Sequence, residues 1–178
     1  MNSKELFQRI TGTSWANLPK EIRDLHNTSR ASGMASVERG HGFLARCIAF
    51  FAGFPENLPN TPVTVDFIKT GNDEIWLRDF GGDRFSSRQL AGQGRYHGLL
   101  CERFGPITFA MALECTDQRL TLRMRHWDFF GFPLPMFLCP VSNSYEYVDD
   151  GRMHFNVEIS HPLAGLIVHY RGWLEREN

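Results

Sequence analysis

The chain has 178 residues, 42% of them hydrophobic and 22% charged, and a net charge of −1. That length suits one domain with a core that needs no staples. The near-neutral balance excludes the basic footprint of a nucleic-acid binder. Aromatic residues make up 13%, led by 15 Phe, which points to a bulky core or an aromatic-lined cavity.

Residues 3–10 read as a short helix closed by Gly12. Residues 19–26 read as a second, with Pro19 in the first turn, where its missing N–H costs nothing, and Glu21 near the positive end of the dipole. Residues 33–39 alternate Met34, Ser36 and Glu38 against Ala35, Val37 and Arg39, as a strand does. Residues 43–52 are apolar on every side except Arg46, which predicts a helix buried on most faces, stopped by Gly53 and Pro55. The apolar run 42–54 falls short of the roughly 20 residues that span a bilayer. An interfacial helix stays open for it, although a basic polar face is missing.

From residue 62 to 175 one strand follows another, most clearly at 62–70, 119–129, 153–160 and 166–174. Asp150-Gly151 is a strong hairpin turn, and Gly71-Asn72 and Gly81-Gly82 supply two more. Such a run curls into an antiparallel sheet or barrel that can enclose a small ligand. The four cysteines form no CxxC pair, and residues 1–10 hold no signal-like apolar stretch, so free thiols in a cytoplasmic setting are expected.

Three strands break the apolar-inside rule. One face of 74–80 carries Glu74, Trp76, Arg78 and Phe80, and one face of 96–104 carries Tyr96, Leu100, Glu102 and Phe104. On 119–129, His126 continues the face of Leu122 and Met124. If these faces meet inside, Arg78, Glu102 and His126 stand in a cup walled by Trp76, Tyr96, Met124 and Phe155, the usual make-up of an orienting site. The competing reading makes Arg78 and Glu102 a structural ion pair or solvent-facing residues, since a one-residue register slip reverses every face. His126 is likewise read as a general base or as a hydrogen-bonded core histidine. His154, His161 and Glu158 match no metal-ligand spacing, so no metal is expected. Arg123 and Arg125 with Trp127 read as a solvated outer face. Residues 130–138, rich in Phe and Pro, read as a lid packed on the domain or as an apolar contact for another protein.

Several phrases together resemble a family of uncharacterised bacterial domains, found alone or fused behind a saccharopine-dehydrogenase-like NAD(P)-binding module. They run from Leu18-Pro19 through Leu25-His26, then Ala35 with Val37-Glu38-Arg39-Gly40, Trp76-Leu77-Arg78-Asp79-Phe80 and Glu102-Arg103-Phe104-Gly105-Pro106. Gly131-Phe132-Pro133-Leu134-Pro135, Gly165 and His169-Tyr170-Arg171-Gly172-Trp173-Leu174 complete them. The resemblance implies a cytoplasmic bacterial protein, sometimes tethered to an oxidoreductase-like partner and here in its stand-alone form, and supplies no catalytic residue. The chain has no glycine-rich dinucleotide fingerprint after a strand, so no cofactor is expected.

The expectation is therefore one α+β domain over 1–178. A helical brace at 1–30 would pack on a strongly curved antiparallel sheet or barrel at 33–175, a calycin-like or helix-grip-like cup with one buried helix at about 43–52. The leading function is binding of a small apolar or carboxylate-bearing ligand at Trp76, Arg78, Tyr96, Glu102, Met124, His126 and Phe155, without nucleic acid or a membrane span. The alternatives are acid–base catalysis by His126 or Glu102 in an isomerase- or cyclase-type cup, and docking of an oxidoreductase-like protein.

Overall fold

In the computed structural model, which describes residues 5–177, strands wind into a closed antiparallel barrel. Two helices precede them, α1 (Leu6–Thr11) and α2 (Lys20–Leu25), linked by a 3-10 turn. Next come β1 (Arg30–Arg39) and α3 (Phe43–Ala52). The strands β2 (Leu58–Thr70), β3 (Asp73–Phe80), β4 (Asp83–Ala91), β5 (Leu100–Phe104), β6 (Ile107–Cys115) and β7 (Arg119–Phe129) follow. A two-residue β8 (Phe132–Pro133), then β9 (Val141–Asp149), β10 (Arg152–His161) and β11 (Gly165–Arg176) complete the chain. Each strand pairs with its neighbour, β7 pairs with β9, and β1 pairs with β11, so the ring closes on itself.

The hairpin turns explain why the chain meanders. Asp150 and Gly151 both take positive φ, 48° and 71°, as a two-residue hairpin loop requires. Alternation then decides the inside. Val63, Val65 and Phe67 are buried while their neighbours on β2 are not, and Met153, Phe155, Val157 and Ile159 share the inner face of β10. The sequence pattern starts the first helix at residue 3; residues 3 and 4 lie outside the described ones, and the helix runs Leu6–Thr11 to Gly12 at φ 59°.

The brace closes one end of the barrel. Phe7 and Ile22 are fully buried there, and the His26 ring lies 4.0 Å from that of Phe7. At the opposite, open end sits α3, and here the buried-helix expectation is corrected. Among its described side chains only Ala45 and Ala49 are fully buried, whereas Phe43 is 86% exposed. The two alanines let the helix lie close on β1 and β11, where Ala45 approaches Gly40. Among the described residues no second layer covers its other side, so an all-apolar pattern does not mean burial here.

Two seams of the ring are short. Strands β4 and β5 pair only from Arg88–Ala91 to Leu100–Arg103, and β7 and β9 only from Arg119–Leu122 to Ser144–Tyr147. Both seams lie toward the braced end. The sector β5–β6–β7 is thus a leaf, stitched in at one end and free of ladder bonds to its flanks at the other.

Candidate functional site

Between the leaf and the wall formed by β9 and β10 lies a cavity of about 90 Å³. Phe109, Met111, Leu122 and Met124 face it from the leaf, and Phe155 and Val157 from the wall. Phe54, just past α3, and Pro140, just before β9, border it at the open end. A second lobe of about 70 Å³ lies toward the braced end, and Trp76, Arg78, Glu146, Phe155 and Tyr170 line both lobes.

A polar cluster stands in this apolar setting. Arg78 projects inward from β3, flanked along its strand by Trp76 and across the pairing by Phe85, with its guanidinium 5.0 and 5.3 Å from their ring centroids. Its Nη2 donates to Glu102 Oε1 at 3.1 Å and its Nη1 to Ser87 Oγ at 2.9 Å. Ser87 in turn donates to the same carboxylate oxygen at 2.6 Å, and Gln89 Nε2 reaches it at 3.3 Å. The side chains of Arg78 and Glu102 are only 10% and 13% exposed. One acceptor in the cluster, the buried Gln89 Oε1, has no partner. On the far side, His26 Nε2 and Glu146 Oε2 lie 2.7 Å apart, and Trp76 Nε1 donates to Glu74 at 3.0 Å. Burial pushes the phenol of Tyr170, which closes the chamber, up to about 12.

Of the seven residues read as a site, Trp76, Arg78, Glu102, Met124 and Phe155 face one cavity. Tyr96 and His126 do not. A bulge between Ala110 and Met111 on β6 sets Met111 opposite Met124 but Ala110 opposite His126, leaving Arg125 as the extra residue. Beyond a bulge the inside–outside alternation reverses, so His126 turns to the outer face. Tyr96 is not on a strand; it lies in a 3-10 turn, Gly94–Tyr96, that folds over that face. Its ring is 5.7 Å from that of His126, and its hydroxyl donates to the buried Asp128 at 3.1 Å. Desolvation, helped by the Asp128 carboxylate, raises the Tyr96 phenol. This outer cluster pins the β4–β5 connection and, through Gly131 N donating to Asp128 Oδ1 at 3.1 Å, the start of the segment 130–138. That segment does not tuck over the domain: Phe130, Phe132 and Phe137 are exposed.

Ser87, Gln89, Glu146 and His26 escaped sequence reasoning. The Gly81-Gly82 turn held a signal for two of them, because a hairpin there sets Ser87 opposite Trp76 and Gln89 opposite Glu74. The Asp150-Gly151 turn likewise sets Glu146 opposite Phe155. His26 follows a helix, and nothing local links it to Glu146, 120 positions away.

No curated protein matches the chain. Among solved structures, it is similar to zebrafish ileal bile acid-binding protein complexed with cholic acid, at 11% identity over 85% of this chain and 98% of that one, with a TM-score of 0.40. A family profile matches residues 18–174, nearly the whole barrel together with α2. The chain belongs to that family, the domain of unknown function DUF4166.

Proposed function

We propose that the barrel is a binding module for a short apolar ligand carrying a carboxylate or similar polar head. The observation behind this reading is the Arg78–Glu102–Ser87–Gln89 cluster, placed in an aromatic cavity with one acceptor left unpartnered. Buried ion pairs rarely repay their desolvation by attraction alone, so such a pair is a candidate for recognition rather than stability. Arg78 would meet the head, Glu102 and Gln89 would orient it, and Trp76, Met124 and Phe155 would supply apolar walls. The 90 Å³ volume lies below the several hundred Å³ of sites that enclose drug-sized molecules, which favours a short chain. A bacterial, cytoplasmic setting and an oxidoreductase-like partner belong to the same proposal and rest on the resemblance of the quoted phrases.

The acid–base alternative loses His126 from the cavity and keeps Glu102, joined now by the His26–Glu146 pair. It predicts that bound ligand is converted on incubation. Native mass spectrometry with an organic extract, followed by titration with octanoate and octanol, tests the binding reading. Octanoate should bind more tightly than octanol, and Arg78→Lys should cost octanoate about tenfold or more while changing octanol little, because the guanidinium fork is lost. A protein with no extractable ligand and no affinity for either probe would sink it.

A further inference from the structure

We propose that the open end of the barrel is a docking surface for an anionic lipid bilayer. This goes beyond the ligand reading and does not depend on it. Among the described residues, the large exposed apolar side chains gather at that end, Ile68 aside. They come from three separate segments: α3, the connection from β7 to β9, and the turn between β10 and β11. Phe43 is 86% exposed, Phe137 78%, Phe132 74% and Leu163 79%, with Phe50 and Phe130 similar. The segments share one rim. Phe54 and Pro140 border the same cavity from two of them, and a Cβ on Gly42 would lie 3.3 Å from the Ala164 carbonyl of the third. A contiguous apolar rim of this kind marks an interaction site.

Charge selects the occupant. Residues 40–55, 129–142 and 161–165 contain no Asp or Glu; their one fixed charge is Arg46, with His41 and His161 beside it. Of the acids at this end, Glu56 is held by Arg39 and Asp79 by Arg84, while Asp83 at the start of β4 accepts from Glu56 N at 3.4 Å and is offset by the exposed Arg103 on β5. The acidic turns at Asp117 and Asp149-Asp150 lie at the opposite, braced end. Protein–protein interfaces surround an apolar centre with a polar rim. Here the apolar rings stand on the projecting tips themselves, accompanied by a cation, which is the arrangement of side chains that enter the acyl boundary while a basic group meets phosphate. The tips are also pre-shaped: Trp127 Nε1 donates to the Pro135 carbonyl at 3.0 Å, and Leu163 N donates to His161 Nδ1 at 3.2 Å. Little order then has to be imposed on docking.

The test is co-sedimentation of the full chain with phosphatidylcholine vesicles, with and without phosphatidylglycerol. The protein should partition onto the anionic vesicles, and less so in high salt. Phe132→Ser with Phe137→Ser should lower partitioning roughly a hundredfold, about tenfold per ring. Arg46→Gln should lower it about fivefold on anionic vesicles only. In a separate Leu163→Trp variant, fluorescence should shift to the blue on vesicle addition. Octanoate titration of the same variants keeps the two proposals apart, since the rim substitutions leave Arg78 and Glu102 untouched. Wild-type protein that stays with the supernatant over both vesicle types would overturn the inference. So would partitioning indifferent to the rim substitutions. Self-association that the double substitution abolishes, without vesicle binding, would assign the surface to a second copy instead.

Discussion

Replacing Arg78 by Met removes the cation paired with the Glu102 carboxylate while keeping most of the apolar contact with Trp76 and Phe85. Glu102 then retains only Ser87 and Gln89 as donors, in a site where its side chain is 13% exposed. Orphaning one member of a buried pair costs about 3–5 kcal/mol. At roughly 2–4 °C per kcal/mol for a chain of this size, the Tm should fall by about 6–20 °C. Adding Glu102→Met removes the orphan. The double variant should recover to within about 1–2 kcal/mol of the parent, because an apolar pair of similar bulk often replaces a buried ion pair without loss. Urea denaturation of the parent, both single variants and the double gives the coupling energy directly. If Arg78→Met costs less than about 1 kcal/mol and the two substitutions simply add, the pair is solvated and the case for a buried recognition cluster fails.

Other outcomes can be measured alongside. Burial pushes the Cys101 and Cys139 thiols up to about 11, so both should resist a disulfide-exchange reagent at pH 8 and react only in denaturant; fast native labelling of either would contradict their placement. Those thiols and the Tyr170 phenol, at about 12, are kept neutral by the fold, so the unfolded chain sheds these protons first. Their contribution is intact below about pH 9 and lost as pH rises toward 11–12, and the urea midpoint should fall across that window rather than stay level. A Cβ at Gly172 would sit 2.1 Å from the Met34 carbonyl oxygen, so Gly172→Ala should impair the β1–β11 closure and lower Tm sharply, seen by circular dichroism. His26→Ala should cost about 2–4 kcal/mol, since it leaves Glu146 without its ring partner and Phe7 without its neighbour.

Period-two alternation is a dependable guide wherever a strand runs unbroken. The inner faces of 62–70 and 153–160 are those the pattern predicts, and so are Trp76, Arg78 and Phe80 on β3. It fails where one residue is added. The bulge opposite Ala110–Met111 carries no Gly or Pro to announce it, and it turns His126 outward. Tyr96 reads as strand because its neighbours alternate, yet glycines at 94 and 98 with φ of 57° and 80° bend that segment away. Helix α3 is legible in its bounds and not in its burial, since composition cannot say whether a second layer exists. The contribution of His26 is hidden for another reason: it depends on how the brace docks, a contact between distant regions of the chain.

The short seams have a consequence for how anything reaches the interior. Along most of the ring, separating neighbouring strands would break many rungs together, a cost close to global unfolding. The leaf differs, because near the open end its edges are held by side chains, among them Phe54 against Phe85 and Phe104 at 5.6 and 6.3 Å. Swinging Phe54 aside needs no ladder to open, only rotation of one ring beyond Gly53, which already sits at φ 72°. The barrel can therefore breathe on one side as a sub-global opening while its braced end stays sealed. In hydrogen exchange this would appear as early labelling of the amides of β5 and β7 that point away from β6 near the open end, against late labelling of β1, β10 and β11. Admission to the chamber would then be timed by an aromatic latch rather than by the stability of the fold.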